Sequence, residues 1–396
     1  MISPTHVTVT GVDIVTPSHV ITDGVIVVRD GIIQEVSTGS RSGPDVVDGR
    51  GATLIPGLVD THSDAFEKEI RPRPGVVLPL EFGLGSFEGR ARAAGITTIF
   101  HGVAFEDSDH ESRTVEQALA MCELIDAQRR SPCALIDHHV LHRLDVRDPL
   151  GLSALESRLD QVETSIVTDR PLVSFEDHTP GQGQYADRSW YERWVSGNRS
   201  VDPDEARRLV DDLIERRDLF ADHRATALSA VSTRAAGGRI TLMMHDPTSA
   251  DEVSNAKAAG MSIAEFPTSL EAAAAAKDTG MRTVSGAPNA MRGTSHSGNV
   301  GARELIAAGL CDGLASDYLP TTLLGAVQAL TTDGICSLPT AVGLVTHGPA
   351  TTVGLHDRGR LEVGCRADMA LVDFTKSMPI VRWVVSQHER LHVEAP

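Results

Sequence analysis

Residues 56–64 read PGLVDTHSD, a short apolar run that ends in His62 and Asp64. The first strand is predicted over 53–60, and further apolar runs of similar length follow at 96–103, 134–140, 171–176, 239–244, 262–266, 282–285 and 313–316. Stretches rich in Ala, Leu, Glu and Arg separate them, for example at 114–130, 202–236, 249–259 and 270–278. Short apolar runs that alternate with helical patterns are typical of parallel strands joined by helices. Eight such units predict an α/β protein with a TIM-like (β/α)8 barrel, whose chemistry lies at the carboxyl ends of the strands.

The two ends of the chain have a different pattern. The first fifty residues contain β-branched runs separated by turns, and Asp30-Gly31 is a hairpin signal. Residues 359–373 return to strand-like alternation. We therefore expect residues 1–54 and 350–396 to form one small flanking β-sandwich domain, and residues 55–349 to form the barrel.

Composition excludes several classes of protein. The 396 residues carry 36 Lys and Arg against 54 Asp and Glu, a net charge of -18. Nucleic acids and anionic membranes need a basic surface, so neither is expected as a partner. No run reaches the roughly 18 apolar residues of a membrane span, and the start of the chain lacks a signal-peptide pattern. Five scattered cysteines support neither a disulfide framework nor a thiolate zinc site. The expectation is a cytoplasmic protein, with a homo-oligomer left open.

Histidine and carboxylate side chains recur at the predicted strand ends. His62 and Asp64 are alternate residues of one strand, so both can point into the same site. Later strand ends add Asp145, His178, His245 and Asp317. Any one of these alone is compatible with an ordinary turn or a structural histidine, but their recurrence at one rim favours a metal site. The set predicts one or two divalent ions, with zinc preferred and manganese or iron as alternatives.

Two segments have the chemistry of an anion site. Arg71 and Arg73 alternate with prolines just after the first predicted ligands, and guanidinium groups suit phosphate oxygens. Residues 293–299, GTSHSGN, precede a helical stretch, where backbone N–H groups attract anions. A solvated basic loop and an ordinary helix cap are the alternatives. The sequence thus allows a small anionic substrate in spite of the negative net charge.

These segments also carry a resemblance to a known family. They are the motifs HSDAFEK (62–68), RPRPG (71–75), AGITT (94–98), DHTPGQ (177–182), AEFPT (264–268), GAPN (286–289), SHSGN (295–299) and SDY (316–318). The barrel with paired ligands after the first strand and an Asp after the eighth resembles the amidohydrolase superfamily. Within it, the motifs are similar to the α-D-ribose 1-methylphosphonate 5-triphosphate diphosphatases of the carbon–phosphorus lyase pathway. The likeness covers about residues 55–325.

The resemblance implies a function and a role for each residue. It implies a metal-dependent hydrolase that cleaves a phosphoanhydride of this triphosphate, or of a close analogue, and releases diphosphate during phosphonate catabolism. Asp317 would orient the attacking water and accept its proton as well as bind metal. Substrate binding would fall to Lys68, Arg71, Arg73, Gln182, Arg292, Ser295, His296, Ser297 and Asn299.

Departures from the superfamily pattern affect the metal ligands. The usual HxH is HxD here, and no lysine lies at a strand end. If two ions are present, a carboxylate such as Asp145 must bridge them. Glu265 stands where many amidohydrolases have a histidine ligand, and it could be a ligand, a partner of a ligand or a buried acid.

Two other functions remain open at this point. An amidohydrolase acting on a C–N bond, in a cyclic amide, an N-acyl group or a deaminated ring, would need the same metal and Asp317. It would not need Arg71, Arg73 or the loop at 295–299. The third possibility is a barrel that has lost its metals and serves as a scaffold.

Overall fold

The structure, a computed structural model, describes residues 5–73, 75–108, 113–164, 170–295 and 299–388. Its strands are β1 (Val7–Val15), β2 (Val20–Arg29), β3 (Ile32–Thr38), β4 (Val46–Asp48), β5 (Thr53–Pro56), β6 (Leu58–Ser63), β7 (Ile96–Phe105), β8 (Asp137–Asp145), β9 (Leu172–Glu176), β10 (Thr241–His245), β11 (Ile263–Glu265), β12 (Arg282–Gly286), β13 (Gly313–Ala315), β14 (Met369–Asp373) and β15 (Ile380–Val385). Its helices are α1 (Ala65–Ile70), α2 (Leu80–Ala93), α3 (Val115–Arg130), α4 (Pro149–Thr164), α5 (Arg188–Arg199), α6 (Pro203–Asp218), α7 (His223–Ala236), α8 (Ala250–Ala258), α9 (Leu270–Asp278), α10 (Ala287–Arg292), α11 (Ala302–Ala307), α12 (Thr322–Thr332), α13 (Leu338–Gly343) and α14 (His347–Thr352).

Strands β6 to β13 form one parallel sheet in chain order, which confirms the predicted barrel. The first and last strands meet where Asp317 N–H donates to the His62 carbonyl at 3.0 Å. Each of the eight strands contributes one side chain to a common apolar cluster inside the barrel: Val59, Phe100, Leu141, Leu172, Met243, Ile263, Val284 and Ala315. This layer fills the barrel, as parallel strands that are buried on both faces require. Polar side chains at the carboxyl ends of the strands therefore lie above a barrel interior that is filled with apolar side chains.

The small sheet takes strands from both ends of the chain, as predicted. Its order is β15-β14-β5-β1-β2-β3, with β4 also paired to β1. It has an apolar cluster of its own, which includes Val9, Ile26, Leu54 and Met369. This domain is one mixed sheet; its boundaries with the barrel remain a prediction.

Gly57 is the point where the chain passes from the small sheet to the barrel. The predicted first strand is in fact two strands, β5 in the small sheet and β6 in the barrel. A Cβ atom at Gly57 would lie 2.2 Å from the Thr97 hydroxyl oxygen on β7, so only glycine permits this approach.

The helical stretch predicted at 202–236 is two helices. Asp202 caps α6 by accepting from Asp204 and Glu205 N–H groups, with Pro203 in its first turn. The helix ends at Asp218, and α7 begins at His223. In the part of the chain that is described, no helix has the length and apolar character needed to cross a membrane.

Candidate metal centre and active site

The strand ends bring most of the predicted ligands together at the barrel mouth. Histidine and carboxylate atoms within 4.8 Å of one another form three groups among the described residues. They are His62–Asp64–Asp317, Glu176–His178–His245 and His62–His245–Glu265. His62, Asp64, His178, His245 and Asp317 thus share one site, and Glu176 and Glu265 join them.

Glu265 lies between two of these histidines. One carboxylate oxygen accepts from His62 Nδ1 at 2.9 Å and the other from His245 Nδ1 at 2.8 Å. The side chain is fully buried at the end of β11. Because each Nδ1 faces the carboxylate, Nε2 is the atom that each ring presents for a metal. Such outer carboxylates orient metal-binding imidazoles.

Arg143 connects two of the carboxylates at the centre of the site. It donates to Asp64 at 2.8 Å and, through Nε, to both oxygens of Glu176 at 3.0 and 3.1 Å. Its side chain is only 7% exposed. Neither Arg143 nor Glu176 is in the predicted ligand set. The signal for them is their position at the ends of β8 and β9, two residues before Asp145 and His178 respectively.

Asp145, the predicted bridging carboxylate, has a different partner. Its two oxygens accept from Arg217 at 2.8 and 3.1 Å. It lines the same cavity but belongs to none of the three groups formed by the described residues. Glu176, from the neighbouring strand, lies closer to the histidines, with 3.8 Å to both His178 Nδ1 and His245 Nδ1.

Burial and crowding of charge shift the ionisation of this site. Burial and the nearby Asp64 carboxylate raise the pKa of Asp317 to about 6. Burial opposes the charged form of His62, but Glu265 and Asp64 raise its pKa well above its usual value. A metal at His62 Nε2 would take the place of that proton. The backbone of Asp317 has a φ of 59°, an unusual conformation that is common at functional sites.

The cavity above these groups has a volume of about 440 Å³. Of the predicted substrate-binding residues, Lys68, Ser295 and Asn299 line it. Four other described residues, Arg71, Arg73, Gln182 and Arg292, do not line it, and His296 and Ser297 lie outside the described residues. Arg71 instead pairs with Glu67 at 2.8 Å.

Sequence reasoning missed several groups that line the cavity. Ser285 and Asn289 lie at the end of β12 and in α10, beside Ser295 and Asn299 in the lining. All three tyrosines of the chain, Tyr185, Tyr191 and Tyr318, also line it, together with Trp194. Tyr185 and Tyr191 pack edge to face with ring centroids 4.9 Å apart. Tyr318 belongs to the motif at 316–318, whereas Tyr185, Tyr191 and Trp194 have no sequence signal for this position.

The donor set fits a divalent metal. The described residues lining the cavity include five acids and four Lys or Arg, and Glu176 and Glu265 add two carboxylates to the site, so a divalent ion would offset an excess of negative charge. Each lining arginine already pairs with two carboxylates, as Arg113 does with Glu67 and Glu106. Two buried atoms, His178 Nε2 and Asp246 Oδ2, make no hydrogen bond, although Asp246 Oδ2 lies 3.5 Å from His245 Nε2. Unpaired imidazole and carboxylate atoms are costly unless a ligand completes them.

The sequence of this chain is similar to that of a known protein of comparable length. The chain is 33% identical over 353 residues to the α-D-ribose 1-methylphosphonate 5-triphosphate diphosphatase of Escherichia coli K12, covering 89% of this chain and 91% of that protein. No protein-family model matches.

Solved structures share the fold at low identity. N-acetyl-D-glucosamine-6-phosphate deacetylase from Mycobacterium smegmatis has a TM-score of 0.60 at 16% identity, with 96% of this chain and 98% of that chain covered. A molinate hydrolase has a TM-score of 0.60 at 12% identity, with 97% and 94% covered. At these identities the likeness concerns the fold alone.

Proposed function

Because the chain belongs to the α-D-ribose 1-methylphosphonate 5-triphosphate diphosphatase family of the amidohydrolase superfamily, we propose that it is a metal-dependent phosphoanhydride hydrolase. It would release diphosphate from that triphosphate, or from a close analogue, in phosphonate catabolism. The observation that carries the proposal is the identity to the E. coli enzyme, which extends over 89% of the chain. The histidine–carboxylate site at the barrel mouth supports it.

We assign the metal to two of the three ligand groups. His62, Asp64 and Asp317 would form one half of the site, and Glu176, His178 and His245 the other. A divalent ion held there, zinc, manganese or iron, would polarise a phosphoryl oxygen and lower the pKa of water. Glu265 would hold His62 and His245 in the orientation that this requires. In this assignment Glu176 takes the central place for which Asp145 was expected.

Asp317 is the proposed proton acceptor. Its carboxylate lines the cavity beside Asp64, and its backbone is fixed by the bond from its N–H to the His62 carbonyl. A carboxylate in this position can orient a water molecule towards the substrate and take its proton.

Cationic and neutral polar groups would hold the phosphate chain. Lys68 is exposed at the rim of the cavity, whereas the lining arginines are engaged by carboxylates. Ser285, Asn289, Ser295 and Asn299 add hydroxyl and amide side chains to the lining of the same cavity. Because phosphoryl transfer needs positioning and charge stabilisation above all, this lining supports an anionic substrate. Roles for Arg71, Arg73, Gln182, Arg292, His296 and Ser297 remain predictions.

A substrate comparison tests the proposal. Metal-loaded protein is given the ribose triphosphate and, separately, a cyclic amide and an N-acetylated amino sugar phosphate. We expect turnover of the triphosphate only, with a loss of about 10²–10⁴-fold in the Asp317→Asn variant. Asp251→Asn, an exposed change on α8, is the control and should leave turnover unchanged. Turnover of an amide but not of the triphosphate would contradict the proposal.

A further inference from the structure

A second large cavity opens at the end of the barrel opposite the metal centre and reaches along β8 from Asp137 to His142, the residue before Arg143. Asp137 and Leu172, the first residues of β8 and β9, line it, whereas the metal centre lies at the far ends of the same strands. Arg358, Arg366 and His388, from the carboxyl-terminal part of the chain, also line it. Its volume is about 770 Å³. We call it the lower cavity.

The lower cavity is basic in an acidic protein. The described residues that line it include six arginines, Arg129, Arg130, Arg158, Arg170, Arg358 and Arg366, against the three acids Asp126, Asp137 and Asp357. The whole chain, in contrast, has a net charge of -18. A concave surface with excess positive charge concentrates anions.

Three of these arginines converge on one carboxylate. Asp137 accepts from Arg358 at 2.7 Å and from Arg129 at 3.0 Å, and Arg366 Nη1 lies 3.8 Å away. Arg366 also pairs with Asp368 at 2.8 Å, which is outside the lining. Even with that acid counted, the cations outnumber the anions. The ion pairs inside the chain therefore leave positive charge for a ligand to neutralise.

Two buried side chains that line the lower cavity have unsatisfied polar atoms. Arg158 pairs with Asp126 at 2.8 Å and also interacts with the Cys122 thiol, and its Nε–H has no hydrogen-bond partner. His142 is 2% exposed, and its Nδ1 bonds to the Leu172 carbonyl at 3.0 Å. Because a carbonyl only accepts, Nδ1 carries the proton, and Nε2 is an acceptor without a donor. Burial and Arg158 lower the pKa of His142 to about 4, which keeps the ring neutral.

These atoms specify the chemistry of an occupant. The arginines and the free Arg158 N–H call for anionic oxygen atoms, and His142 Nε2 calls for a hydroxyl donor. Phe100, Val140 and Leu172 supply an apolar wall. The His139 ring stacks on the Phe100 ring, with 4.5 Å between the ring centroids. A volume of several hundred Å³ is typical of small-molecule sites.

We propose that the lower cavity binds a small phosphorylated molecule that bears hydroxyl groups, such as a sugar phosphate or a nucleotide, at a site separate from the metal centre. The proposal does not depend on the reaction assigned to that centre. It gives the protein two anion sites, one at the metal centre and one in the lower cavity.

Calorimetric titration of ribose 5-phosphate into the full-length, metal-free protein tests this. Without metal the described lining of the cavity at the metal centre has more acids than Lys and Arg, which disfavours anion binding there. Arg130 and Arg170 are exposed at the rim of the lower cavity, so Arg130→Glu/Arg170→Glu should fold normally and bind about tenfold more weakly or worse. The control Arg208→Glu/Arg216→Glu changes the net charge equally on an exposed face of α6 and should bind like the parent protein.

A second variant tests recognition of the hydroxyl group. His142→Phe removes the unpaired acceptor and should weaken ribose 5-phosphate several-fold while inorganic phosphate binds as in the parent protein. If the parent binds no ribose 5-phosphate at millimolar concentration, the proposal is wrong. It is also wrong if Arg130→Glu/Arg170→Glu and the control Arg208→Glu/Arg216→Glu bind ribose 5-phosphate with the same affinity. If His142→Phe fails to fold, the comparison of the two double arginine variants still tests the proposal.

Discussion

Replacing Arg143 by methionine should destabilise the metal-free protein more than the metal-loaded one. The guanidinium is buried and contacts Asp64 at 2.8 Å and Glu176 at 3.0 and 3.1 Å. Removing it leaves two buried carboxylates without this partner, which typically costs about 3–5 kcal/mol. With an unfolding entropy of about 2.1 cal/mol/K per residue, that loss lowers the melting midpoint by about 4–6 °C. An ion bound by Asp64 and Glu176 would restore positive charge, so the loss should shrink when metal is present.

The assay is thermal unfolding of both proteins with a chelator and again after reloading with zinc. Arg216→Met is the matched control, because Arg216 is exposed and donates to the Asp212 backbone carbonyl at 3.2 Å. We expect the control to change the midpoint little in either condition. An equal fall for Arg143→Met with and without metal would refute the role given to the ion, and no fall in the metal-free protein would refute the ion-pair argument.

Three further changes test other parts of the account. Glu265→Gln should weaken metal binding about 10–100-fold, because the carboxylate orients two histidines. Competition with a chelator measures the metal affinity, and Glu271→Gln, at an exposed position, is the control variant. Lys68→Ala should raise KM for the triphosphate more than Arg73→Ala does, because only Lys68 of the two lines the cavity. Steady-state kinetics measure both values, and a larger increase for Arg73→Ala would make the arginine the main phosphate contact. Gly57→Ala should cost about 1–3 kcal/mol in denaturant unfolding, because its Cβ would collide with a β7 side chain; an unchanged midpoint would mean that the backbone shifts freely there.

The barrel could be predicted from the sequence because its strands are buried on both faces. Such strands appear as short apolar runs, and their order around a parallel barrel follows the chain. The predicted ligands at the ends of β6, β10 and β13 meet for the same reason, since carboxyl ends of parallel strands share one rim. Periodicity could not show that the first run divides at Gly57, because the close approach to Thr97 comes from a strand distant in sequence.

The partners of the charged side chains could not be predicted in this way. Asp145 and Glu176 are both acids at neighbouring strand ends, and the sequence does not distinguish them. The structure shows Arg217, from α6, bound to Asp145, whereas Glu176 binds Arg143 and lies 3.8 Å from His178 Nδ1 and His245 Nδ1. The lower cavity could not be predicted either, because it combines strand residues with others far along the chain, such as Asp137 with Arg358, 221 positions later.

The proposed release of diphosphate from the ribose triphosphate can be observed directly by phosphorus NMR of the reaction mixture. The metal-loaded protein is mixed with α-D-ribose 1-methylphosphonate 5-triphosphate, and the products are identified from their phosphorus resonances. We expect diphosphate and the 5-monophosphate in equal amounts, with the methylphosphonate resonance retained. Orthophosphate with a 5-diphosphate, or an unchanged spectrum from protein shown to contain metal, would contradict it.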